Sequence, residues 1–261
     1  MPKRNPILPA EVLLLTARLL GPLDLIHLAQ AIPGIDRDYK PKYWVPITDD
    51  TGDTLFHIAS ANGWDDIVKS LLTKKFELSI QNNEGYTALH HACQAGNYSA
   101  TCLLLDAGLS ADIPAKNGMT ALHSAIAREN TAIVRLLLES EADISVVTKG
   151  DYSLLFWAIK SQNTDILELL VSNGADITKR NIFGQTPLSW AAANGNIAAV
   201  DLLLKAGSDA ELIDDWIRTP GDFLNLPRFL SFAEILKSVQ QHASYVLPCR
   251  IICSIMRCLS T

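Results

Sequence analysis

The sequence predicts an all-α solenoid built of 33-residue helix-turn-helix repeats with short hairpin loops, preceded by a short helical hairpin. Three observations predict it. Thr54-Leu55-Phe56-His57, Thr87-Ala88-Leu89-His90, Thr120-Ala121-Leu122-His123, Ser153-Leu154-Leu155-Phe156 and Thr186-Pro187-Leu188-Ser189 begin 33 residues apart each time. Five positions on from each start stand Ala59, Ala92, Ala125, Ala158 and Ala191, and the pairs Leu71-Leu72, Leu104-Leu105, Leu137-Leu138, Leu170-Val171 and Leu203-Leu204 keep one offset. Gly52, Gly85, Gly118, Asp151 and Gly184 stand two positions before each start. Several columns in phase over five periods mark a chain of stacked supersecondary units, none of which can bury its apolar face alone.

The elements follow in chain order. Residues 6–46 have a texture of their own, with Pro9 placed to open a helix and Val12, Leu13, Leu14, Leu15, Leu19 and Leu20 making it apolar nearly all round. Gly21-Pro22 stops that helix, and Leu25, Leu28, Ala29 and Ile32 space a second short one that ends at Pro33-Gly34. The repeats are expected at 50–81, 82–114, 115–147, 148–180 and 181–213. In each, a first helix opens at the Thr and packs closely through its Ala, and a second helix carries the Leu pair on one face. Gly108, Gly174 and Gly207 stand where a left-handed cap ends the second helix, and the glycine before each Thr suits a tight hairpin. Thr219-Pro220 falls on the next phase position but Pro227 interrupts its first helix, so 214–242 is expected to be a degenerate capping repeat. Residues 243–261 form a tail of unassigned structure carrying Cys249, Cys253 and Cys258.

On these residues the chain resembles the ankyrin-repeat family, whose T-P-L-H signature and 33-residue period are matched most closely at Thr186-Pro187-Leu188. That resemblance implies a non-enzymatic protein-interaction scaffold. The N-terminal stretch Leu8-Pro9-Ala10-Glu11-Val12-Leu13, with Leu20, Leu25 and Leu28 after it, resembles the first two thirds of an F-box. An F-box ahead of repeats is similar to an arrangement in fungal proteins. This second resemblance implies docking of a Skp-type adaptor through Leu8, Pro9, Glu11, Leu13, Leu20, Leu25 and Leu28, which would make the protein a substrate receptor for a cullin ubiquitin ligase. The alternative is that the same helices cap the first repeat and bury their leucines within the protein. Pro33-Gly34 breaks the chain where an F-box has its third helix, so both readings stand.

Composition bounds the rest. With 261 residues, 48% of them hydrophobic and 19% charged, the chain folds rather than staying disordered. Twenty-two basic against 28 acidic residues give a net charge of −6, which lacks the electrostatic footprint of a nucleic-acid binder. Arg250 and Arg257 interrupt the apolar C-terminal stretch and Glu11, Arg18 and Asp24 the N-terminal one, so neither a membrane span nor a signal peptide is expected. Five cysteines, an odd number with three near the end, point to a reducing intracellular compartment, cytoplasmic or nuclear.

No HExxH, paired CxxC, GxxxxGK or GxSxG occurs, so no cofactor or metal is expected. His57, His90 and His123 share one repeat column, one helix-packing distance apart, too far to hold one ion, and are read as hydrogen-bonding the turn into each helix. Trp157 and Trp190 are read as packed between repeats.

The positions that the repeat leaves free are the hairpin tips and the exposed end of each first helix. Tyr86, Met119, Tyr152, Phe183 and Trp216 occupy tip slots. They are the residue types that anchor interfaces, and form an expected stripe along the concave side. Asp50, Asp53, Asn83, Glu84, Lys116, Lys149, Lys160, Gln185 and Arg218 are its polar companions, acidic at the start and basic in the middle. The expected partner is a protein, and the scaffold a monomer.

Overall fold

The computed structural model describes residues 48–72, 78–210 and 212. The expectations for residues 6–46, for 214–242, for 243–261 and for Trp216 and Arg218 lie outside these residues. Ten helices run through the described part: α1 (Leu55–Asn62), α2 (Asp65–Leu72), α3 (Ala88–Ala95), α4 (Tyr98–Asp106), α5 (Ala121–Ala127), α6 (Thr131–Glu139), α7 (Leu154–Lys160), α8 (Thr164–Ser172), α9 (Pro187–Ala193) and α10 (Ile197–Lys205). No strand occurs among the described residues. The chain divides into two compact units between Asp143 and Ile144.

In the first unit, α1, α3 and α5 stack on one another, and so do α2, α4 and α6, while each first helix packs on its own second helix. Small residues allow the close approach: Ala59, Ala92 and Ala125 are wholly buried. Leu71, Leu104 and Leu137 close the second layer, whereas the second member of each pair, Leu72, Leu105 and Leu138, is half-buried. Neighbours on a helix point about 100° apart, so only one of two adjacent leucines faces the core.

The second unit repeats the scheme, with α7 against α9 and α8 against α10. Ala158 and Ala191 line one layer and Leu170 and Leu203 the other.

Seven of the ten helices, α1, α3, α5, α6, α8, α9 and α10, begin where a side chain accepts a free N–H of the first turn. Thr54, Thr87 and Thr120 take extended conformations before α1, α3 and α5. Asn130, Asn163 and Asn196 accept the N–H of Ile133, Ile166 and Ala199 and so cap α6, α8 and α10. The Asn97 amide instead donates to the carbonyls of Ser60 and Ala61 at 2.9 and 2.7 Å, and Asn196 reaches Ile159 O at 3.2 Å. These amides tie one helix pair to the one before it.

Candidate functional site

The tips between helix pairs are built by a recurring backbone pattern. Asn82 N donates to Tyr86 O, Ala115 N to Met119 O, and Asn181 N to Gln185 O, at 2.8 to 3.1 Å. Within these turns Asn82 Oδ1 accepts from Glu84 N and Tyr86 N, and Asn181 Oδ1 from Phe183 N and Gln185 N. Asp49 plays the same part in the first tip, accepting from Thr51 N and Asp53 N. The turns need a left-handed residue, supplied by Gly52, Gly85, Gly118 and Gly184 and, without a glycine, by Asp151 at φ 56°.

Successive tips are joined by further hydrogen bonds. In the first unit Asn83 N donates to Thr51 O at 3.0 Å and Lys116 N to Glu84 O at 2.9 Å; in the second, Ile182 N donates to Gly150 O at 3.1 Å. Within each unit a tip so joined takes its register from its neighbour, and its outward side chains stand on a hydrogen-bonded base.

The histidine column adds a second link. Thr54 N donates to His57 Nδ1 at 3.1 Å, so Nδ1 is an acceptor and the ring proton sits on Nε2. From there it is donated to Tyr86 O at 3.0 Å. His90 repeats this between Thr87 N and Met119 O, and His123 Nδ1 accepts from Thr120 N. Burial holds the pKa of all three below the usual histidine range, and takes His90 and His123 to about 4. These neutral rings fasten helix starts and tips, as their sequence position suggested.

On the tip face of the first unit, Asp50, Asn83, Glu84 and Lys116 are exposed and Asp53, Tyr86 and Met119 half-buried. Tyr86 is less free than its slot implied. Its ring meets His90 and His91 edge-on at 5.4 and 6.2 Å, its hydroxyl donates to Met119 Sδ, and Asn117 Nδ2 donates to that hydroxyl. Asp53 is held by Asn82 Nδ2 at 2.7 Å and faces His91 Nε2 at 3.2 Å. Burial works against its ionisation, but the hydrogen bonds from His91 and Asn82 prevail and bring its pKa down to about 2. His91, on the outer flank of α3, was not among the residues singled out as a surface contributor; its neighbour His90 is the buried one.

On the tip face of the second unit, Lys149 and Lys160 are exposed, Phe183 is 38% exposed and Ile182 55%. Gln185 differs from expectation: it is buried and its Oε1 accepts from Asn181 Nδ2 at 3.1 Å, so it braces the turn instead of meeting a partner. Tyr152 also has packing partners, Phe156 at 5.5 Å and Trp190 at 5.7 Å, both edge-to-face. Trp157 and Trp190 correct the reading that placed them in the closed layer between repeats. Both are half-buried, and with Tyr152, Phe156 and Lys160 they line a cavity of about 350 Å³. Each Trp stands one residue from the wholly or nearly wholly buried Phe156 or Ser189, and that single step turns it out of the core.

No group of three or more potential ligating side chains that could hold a metal ion occurs among the described residues. No helix among them is long and apolar enough to cross a membrane.

Comparison with known proteins agrees with this geometry. The description "Ankyrin repeats (3 copies)" matches residues 37–116 and 107–181, and "Ankyrin repeats (many copies)" matches 155–220. No protein of curated function matches the sequence. Among solved structures, the ankyrin repeat domain of Bcl-3, described as a unique member of the IkappaB protein family, is similar at a TM-score of 0.67 and 24% identity, over 88% of this chain and 100% of that one. An ankyrin repeat domain from Acinetobacter baumannii AYE is similar at a TM-score of 0.65 and 24% identity, over 71% of this chain and 97% of that one. At this identity the likeness is one of fold. The helix pairs, the tips and the family match lead to one conclusion: the chain belongs to the ankyrin-repeat family, whose repeats generally serve as protein-interaction modules.

Proposed function

We propose that this protein is a non-enzymatic scaffold that binds a protein partner across its hairpin tips and the adjoining ends of its first helices. The observation that carries the proposal is the set of half-exposed aromatic and thioether side chains at the tips, Tyr86, Met119, Tyr152 and Phe183, on hydrogen-bonded bases, with Asp50, Glu84, Lys116, Lys149 and Lys160 exposed beside them. Rigid presentation lowers the ordering cost of binding, and large side chains within a charged surround suit an interface. The repeats at 50–81, 82–114, 115–147, 148–180 and 181–213 are the recognition module, working as a monomer with no cofactor. An intracellular address fits the thiols: Cys93 and Cys102 are free, and burial pushes Cys93 up to about 12.

Photo-crosslinking tests the surface. A benzophenone side chain at Glu84, Lys116, Lys149 or Phe183 is expected to capture a common protein from cell extract, and the same probe at Arg135 or Glu168 on the second helices is not. Capture mainly from Arg135 and Glu168 sinks the proposal.

A sharper form adds a ubiquitin-ligase role, favoured by the Leu8-Pro9-Ala10-Glu11-Val12-Leu13 motif. In it Leu8, Pro9, Glu11, Leu13, Leu20, Leu25 and Leu28 dock a Skp-type adaptor and the repeats present a substrate. Pull-down of the adaptor that Leu13→Asp and Leu20→Asp both abolish, with thermal melting unchanged, is the outcome this form requires. Earlier melting and no pull-down would mean that these leucines are core.

A further inference from the structure

Two columns of the repeat change character in the second unit. Where the first unit has His57, His90 and His123, the second has Phe156 and Ser189, and where the first has Ile58, His91 and Ser124, the second has Trp157 and Trp190. The first unit folds with small, polar or aliphatic side chains at these sites, so the large rings of the second answer no general need of the repeat.

Their arrangement makes a receptor. Tyr152, Phe156 and Trp190 meet pairwise at 5.5, 5.7 and 6.0 Å with interplanar angles of 88°, 65° and 67°, the edge-to-face contacts that hold rings in place. Together with Trp157 and Lys160 they line an open-mouthed pocket of about 350 Å³, near the lower end of the roughly 300 to 1,000 Å³ of ligand pockets. That is room for one large side chain with its adjoining backbone. The indole N–H of Trp190 is closed off from solvent and has no acceptor among the described residues.

Charge decides the kind of occupant. An aromatic box alone would suit a quaternary or methylated ammonium group, but here Lys160 Nζ already stands 5.4 Å from the Trp157 ring centroid. A second cation would be repelled. Lys149, Lys179 and Arg180 are exposed in the same unit against Asp151 and Asp176, the latter lying against Lys179, and the Arg180 guanidinium donates to Gly184 O at 3.2 Å; the balance is still basic, and Ile182 and Phe183 extend the apolar surface beside them.

We infer that Tyr152, Phe156, Trp157 and Trp190 form a pocket for one aromatic or large aliphatic side chain of an acidic protein segment, with Lys160 pairing a carboxylate that flanks the anchor. This rests on the proposed role of the tip face in protein binding and names the class of partner. The segment runs extended over the tips, its anchor in the pocket and its acidic residues against Lys149, Lys160 and the Lys179-Arg180 pair.

Panning the full chain against a phage-displayed library of random dodecapeptides tests this. The peptides retained are expected to carry Phe, Trp or Leu with Asp or Glu close by, and the best of them, synthesised and titrated, should weaken by at least about tenfold on Trp157→Ala or Trp190→Ala. Lys160→Glu, which reverses the charge and gives up the contact with the Trp157 ring, should weaken it severalfold, and added salt should weaken binding to the unaltered protein in the same way. Circular dichroism and melting confirm that each variant folds. An empty selection, basic peptides, or binding indifferent to both Lys160→Glu and the Trp variants overturns the inference. If binding is instead lost on Tyr86→Ala or Met119→Ala, this pocket is wrong while tip-face recognition stands. Loss only on changes at Arg135 or Glu168 removes both.

Discussion

A methyl group on Gly85 would lie 2.8 Å from Lys116 N and 3.1 Å from Ala115 Cα, at a φ of +84° that L-residues seldom adopt. Lys116 N is the donor that joins the next tip to this one, through Glu84 O, so the clash cannot be relieved without loosening that link. Left-handed strain of about 1–2 kcal/mol adds to a lost hydrogen bond worth about 1 kcal/mol. Gly85→Ala is therefore expected to destabilise the protein by about 2–3 kcal/mol in urea unfolding; a change below about 0.5 kcal/mol would show that the tip backbone tolerates movement. Gln162 presents the reverse case. It holds φ 58° at the repeat position where Gly63, Gly96 and Gly195 stand. Gln162→Gly relieves about 1–2 kcal/mol of strain and costs up to about 1 kcal/mol in chain entropy. A small gain in melting temperature is expected, and a loss would mean that the Gln162 side chain contributes more than its backbone costs.

At the scale of the element, α10 depends on an asparagine whose two ends act on different repeats. Asn196 Oδ1 caps α10 through Ala199 N at 3.0 Å while its amide reaches back to Ile159 O at 3.2 Å. Asn196→Ala is expected to cost about 1–2 kcal/mol, and Asn196→Asp, which keeps the cap and loses the reach, about half as much. Equal losses for the two would mean that the link between helix pairs is the weightier of the two bonds. Such asparagines show where the sequence was hard to read. The Thr, Ala, Leu and Gly columns announce themselves because each acts on its own repeat, through capping, close packing or a left-handed turn. Asn97 and Asn196 act on carbonyls 36 or 37 residues away, and a polar residue whose partner is distant looks like surface. Gln185 was misplaced for a different reason: its partner Asn181 is only four residues away, but the two meet, buried, only once the turn closes. Trp157 and Trp190 failed in the opposite direction: their column, one position after the T-P-L-H motif, argued for core, but one step along the helix from buried Phe156 or Ser189 turns each ring partly out of it.

For the molecule as a whole, the histidine column makes the two units unequal in acid. His57, His90 and His123 lie in the first unit, and residues 144–212 contain no histidine. Burial brings His90 and His123 from 6.5 to about 4 in the fold, and lowers His57 as well. The sign follows from which state takes the proton: below pH 6.5 the unfolded chain binds protons that the folded chain refuses. Stability is thus full above about pH 6.5 and falls as pH drops toward 4, by about 3 kcal/mol for each fully expressed site. Asp53, brought from 3.8 to about 2 by His91 and Asn82 against the effect of burial, adds a loss at lower pH as its carboxylate becomes protonated. It too belongs to the first unit. Between pH 7.5 and 5, amide protection corrected for intrinsic exchange is expected to fall first in α1, α3 and α5, while α7 and α9, with Phe156 and Ser189 at the equivalent positions, keep theirs. Since stacked repeats open in part as well as altogether, the loss should appear as local opening before the global transition. His90→Gln should flatten the pH dependence even if it lowers stability at pH 7.5, because a neutral amide has no proton to gain. Uniform loss of protection across both units, or an unaltered pH slope in that variant, would place the acid sensitivity elsewhere than in the buried rings.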